Sequence, residues 1–68
     1  MSYKLTVWKL TGRADEVDSV FEAECETEWQ ALELFDCVTR GIRGHYKAWV
    51  IDIPLARVLR ESELRYAR

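Results

Sequence analysis

Apolar and polar side chains alternate through Tyr3–Leu10, with Tyr3, Leu5 and Val7 set against Lys4, Thr6, Trp8 and Leu10. A period of two with β-branched and aromatic residues predicts a strand. Thr11–Glu16 carries the glycine and polar residues of a connecting loop. The alternation resumes with Val17, Ser19, Phe21, Ala23 and Cys25 on one side and Asp18, Val20, Glu22, Glu24 and Glu26 on the other. This second strand has one apolar face and one that is nearly all acid. The period then lengthens. Thr27-Glu28-Trp29-Gln30 matches a capping box, in which the Thr27 hydroxyl and the Gln30 amide satisfy open backbone N–H groups at a helix start. A helix from Glu28 to about Arg40 follows, with Gly41 expected as a left-handed C-terminal cap. At about 100° per residue, Ala31, Leu34, Phe35 and Val38 form its buried stripe, flanked by Cys37 and Leu32. Trp29 falls on the opposite side with Glu33, Asp36 and Arg40.

The run His45–Ile53 reads as a third strand ended by Pro54. From Leu55 to Arg68, helix-forming residues place Leu55, Val58, Leu59 and Ser62 at i, i+3, i+4 and i+7, which predicts a terminal helix over 54–68. Element lengths and the right-handed crossover rule give a three-stranded antiparallel sheet of order 2-1-3 with one packed helix, β-β-α-β, plus the C-terminal helix. The expectation is one α+β domain spanning residues 1–68. Leu5, Val7, Phe21, Ala23, Tyr46, Ala48 and Val50 would face the central helix. Thr6, Trp8, Val20, Trp49 and Ile51 would lie on the other face with Lys4, Lys47, Glu22 and Glu24. Two tryptophans on such a face call for a cover or a partner. The terminal helix is the expected cover, through Leu55, Val58 and Leu59.

Composition narrows the classes. A chain of 68 residues buries only about 60% of its unfolded surface, so its core is small. With 49% hydrophobic and 32% charged residues it is neither disordered nor membrane-spanning, and no apolar run reaches the roughly 18 residues of a membrane helix. The first ten residues alternate as a strand and lack the order of a secretory signal, so the expected location is cytoplasmic, the host cytoplasm if a phage encodes the chain. A net charge of −2 conceals a division. Residues 14–36 hold nine acids and no Lys or Arg, whereas residues 40–68 hold seven bases against three acids. Such asymmetry bears on partners and encounter rates.

Candidate chemistry is sparse. His45 is the single histidine, and its spacing from Cys25 and Cys37 matches no zinc pattern. Both cysteines read as reduced structural residues, unsuited to a Cys–His nucleophile. Carboxylates on an exposed strand face lack the burial that a general acid needs. No phosphate-binding glycine loop occurs, and Gly41-Ile42-Arg43-Gly44 resembles a GxxG clamp only as letters. The expectation is a non-enzymatic protein without metal or cofactor. Glu22, Glu24 and Glu26 recur at about 6.6 Å along the strand, close to the separation of phosphates on a nucleic-acid strand. A surface of Glu22, Glu24, Trp29, Glu33 and Asp36, with Trp29 as anchor, would fit a basic groove on another protein.

The stretch AECETEWQALEL, residues 23–34, where an acidic strand gives way to a Thr27-capped helix, resembles the strand-to-helix junction of small bacteriophage β-β-α-β proteins that inhibit host RNA polymerase or CRISPR complexes. The resemblance implies a protein that binds and blocks a host factor through an acidic surface. The Arg-rich C-terminal half departs from that pattern and supports an alternative, a nucleic-acid-associated regulatory protein acting through Arg40, Arg43, Arg57 and Arg60. A pI near 5.3 makes nucleic acid the weaker partner. A third expectation is a homodimer that buries Trp8 and Trp49.

Overall fold

The computed structural model describes residues 2–11 and 16–64. Its elements are β1 (Tyr3–Leu10), β2 (Val17–Cys25), α1 (Glu28–Gly41), β3 (Tyr46–Asp52) and β4 (Arg57–Leu64). The first two strands, the helix and the third strand lie where the periodicities place them. The expected tip of the first hairpin, residues 12–15, falls outside the described residues. Its mouth is closed by the Thr11 N–H donating to Glu16 O at 3.0 Å.

The four strands form one antiparallel sheet of order β2-β1-β3-β4. The first three reproduce the expected 2-1-3 order. The C-terminal segment corrects the reading: residues 57–64 form an edge strand, with no terminal helix among the described residues. The cause lies in the free edge of β3, whose backbone donors and acceptors would be left bare by a helix. Pro54 makes this possible by nucleating a turn. Ile53 O accepts from the Ala56 N–H at 3.2 Å, which places Pro54 at the second turn position that its fixed φ favours. Asp52 Oδ1 accepts from the Leu55 N–H at 3.4 Å, and Ala56 turns left-handed at φ 51 to begin β4.

α1 packs across β3, β1 and β2 on one face of the sheet. Leu5, Ala31, Ala48 and Val50 are completely buried there, joined by Val7 and Tyr46, with Leu34, Phe35, Val38 and Leu59 packed around them. Ala48 and Ala31, both at 0% exposure, are small residues that let the helix approach the sheet closely. Phe21 pairs with Val7 on this face but remains half exposed, because β2 is an edge strand. The Thr27 hydroxyl accepts from the Gln30 N–H at 3.1 Å, as the sequence leads one to expect. The other end differs. Gly41 is the last helical residue, Ile42 is extended at φ −79 and ψ 134, and the left-handed glycine is Gly44 at φ 96, in the turn into β3.

β4 is locked to β3 by a buried-side contact as well as by its ladder. Tyr46 Oη and Ser62 Oγ lie 2.8 Å apart on the helix-bearing side, so a buried tyrosine finds a hydroxyl partner on the edge strand. The register shifts between Val50 and Ile51, where Leu59 is the extra residue of a bulge and turns toward the core.

Candidate interaction surfaces

The expected acidic surface divides in two. Glu22 and Glu24 pair across the strands with Thr6 and Lys4, on the sheet face that α1 does not cover. Lys4 Nζ sits 3.3 Å from Glu22 Oε2, an exposed ion pair. Trp29, Glu33 and Asp36 stand on the outer surface of α1, on the other side of the molecule. The five residues therefore do not form one contact surface. A strand's alternate side chains point to opposite faces, and the crossover carries α1 over only one of them.

On the helix, Trp29, Leu32, Glu33, Asp36, Cys37 and Arg40 line an open groove of about 470 Å³. Asp36 forms an ion pair with Arg40 one turn later. Cys37, expected at the edge of the buried stripe, is exposed in this groove. Trp29 is 69% exposed, so its indole does not pack down on the monomer. The backbone beneath it is fixed by the Thr27 cap and by the buried Ala31.

The second surface is the open face of the sheet. The Trp8 and Trp49 indoles meet there edge to face, and with Lys47, Ile51, Val58 and Glu61 they line a groove of about 300 Å³. Thr6 faces the same way yet is buried, because Trp49 is its cross-strand partner and Trp8 its neighbour two residues on. The terminal helix expected to cover this face is absent from the described residues. Val58 reaches the face from β4, beside Ile51, while Leu55 is exposed in the turn. Val58 thus lies on the expected face but from a strand, Leu59 turns to the opposite face and the core, and Glu61 is an addition that came only with pairing β4 at the edge.

The arginines of the alternative reading do not converge. Arg40 is engaged by Asp36, and Arg43 is exposed beyond the C-terminal end of α1. Arg57 pairs with Asp52 at the end of the sheet where α1 begins, and Arg60 lies midway along β4, donating to Leu59 O at 3.0 Å. With residues 57–64 in a strand, Arg57 and Arg60 form no basic helix face among the described residues.

Among the described residues no three metal-ligating side chains come together, and no helix is long and apolar enough to cross a membrane. No protein-family model, curated protein or solved structure matches the chain.

Proposed function

We propose that this chain is a non-enzymatic protein-binding module whose contact surface is the outer face of α1, with Trp29 as anchor and Leu32, Glu33 and Asp36 around it. The supporting observation is the 69% exposure of a tryptophan on a helix whose cap and inner stripe are fully engaged. An indole on a fixed helical backbone has only two side-chain torsions to order, so it costs little conformational entropy to bury against a partner, and tryptophan dominates binding hot spots. The two acids favour a basic partner surface and speed the encounter. The partner class implied by the bacteriophage resemblance, a host nucleic-acid-binding or defence protein, has such a surface, and the function would then be to block it. Both cysteines are free, which suits a reducing cytoplasm.

The test is affinity capture from a host lysate with the natural chain, with Trp29→Ala and with the charge reversal Glu33→Lys/Asp36→Lys, alongside thermal melts. A specific partner should be lost with both variants while melting stays within the range of a surface substitution. Retention of the same partner by Trp29→Ala would refute the assignment, as would a large fall in melting temperature.

A further inference from the structure

The open sheet face carries a second groove, on the side of the molecule away from Trp29. Its charges are arranged in columns: the outer strands bear Glu22 and Glu24 on β2 and Glu61 and Glu63 on β4, while the inner strands bear Lys4 and Lys47. Lys4 is bound by Glu22, and Lys47 stands directly across from Glu63. Glu61 instead stands across from Trp49, at the rim of the groove, with no cation as its cross-strand partner. The groove thus joins two indole surfaces set 77° apart, an aliphatic floor of Ile51 and Val58, the Glu61 carboxylate, and Lys47, whose charge is offset by its cross-strand partner Glu63. We propose that it takes an arginine side chain from a basic segment of a partner protein.

Arginine answers the indoles, the aliphatic floor and the carboxylate of this lining. Its guanidinium is flat and weakly hydrated, so it stacks on an indole, and its fork can reach a carboxylate at the same time. Its three-carbon stem lies against the aliphatic floor. A nucleic acid would meet four carboxylates on this face. A second copy of the chain fits poorly for a geometric reason. An aligned two-fold stack of the two sheets sets outer strands over outer strands, and here that places acids over acids. The site does not depend on Trp29.

The experiment follows the three indole N–H resonances of nitrogen-labelled protein during titration with a capped peptide of alternating leucine and arginine. Its counterpart has the isosteric, neutral citrulline in place of arginine. Trp8 and Trp49 should shift and Trp29 should not. Citrulline should weaken binding about fivefold, the scale of an exposed cation–π contact. Glu61→Gln should weaken it by up to about fivefold, the range of an exposed ion pair, and this exposed substitution leaves the fold intact. Trp29→Ala, which tests the function proposed above, should leave peptide binding unchanged. Equal binding of the citrulline peptide would overturn the proposal, as would no shift at millimolar peptide. Shifts of Trp8 and Trp49 that follow protein concentration alone would overturn it in favour of a homodimer.

Discussion

Trp8 and Trp49 are diagonal neighbours on β1 and β3, their ring centroids 5.1 Å apart and their planes at 77°. This edge-to-face geometry sets the positive rim of one indole against the negative face of the other. It ties together the two central strands on the side that has no helix. A double-mutant cycle of Trp8→Ala and Trp49→Ala, read by denaturant unfolding, should give a coupling of about 0.5–1.5 kcal/mol. Additive losses would mean that the two rings stand on the sheet independently.

The helix start offers a cleaner measure of local stability. Thr27→Ala removes the acceptor for the Gln30 N–H and should cost about 1 kcal/mol. Thr27→Ser, which keeps the hydroxyl, should recover most of that loss in the same melts.

Ala56 holds a left-handed backbone at φ 51, where a Cβ is crowded. Ala56→Gly should raise stability by about 1 kcal/mol, despite the greater freedom glycine gives the unfolded chain. A substitution to valine should instead destabilise, and urea midpoints would register both.

Charge placement decides the behaviour on a polyanion. With Arg40 paired to Asp36 and Arg57 and Arg60 spread along the edge strand, no dense basic patch forms among the described residues. The protein should pass through heparin at low salt. Retention that falls steeply with added salt would favour the nucleic-acid reading.

Where one period governed a whole element, the sequence could be read directly. β1 and α1 each keep a single period from end to end, and Leu5, Val7 and Ala31 are buried as their spacing requires; β2 keeps its period beyond a register shift at Asp18, and β3, apolar on both faces, buries Ala48 and Val50 by a choice that periodicity leaves open. β4 could not be read that way. The bulge at Leu59 sets two apolar residues, Val58 and Leu59, side by side and breaks the alternation that marks a strand. The same break leaves Leu55, Val58, Leu59 and Ser62 at i, i+3, i+4 and i+7, among arginines and glutamates that form helices well. What selects the strand is the unpaired edge of β3, a partner that no local pattern records. The surfaces follow the same division. Trp29 and its helical neighbours share a face by simple periodicity, whereas Glu22 and Glu24 are removed from them by the path of the chain between layers.

The turn at residues 53–56 is exposed throughout, and only the strand beyond it shields the flank of β3. A protease that cut there would leave β4 held only by its ladder with β3, the Tyr46–Ser62 contact and the packing of Leu59 and Val58. Once that strand departed, Tyr46–Asp52 would present a bare, apolar template to other cleaved molecules. Solubility would then be lost through a single break in a loop that touches neither recognition surface.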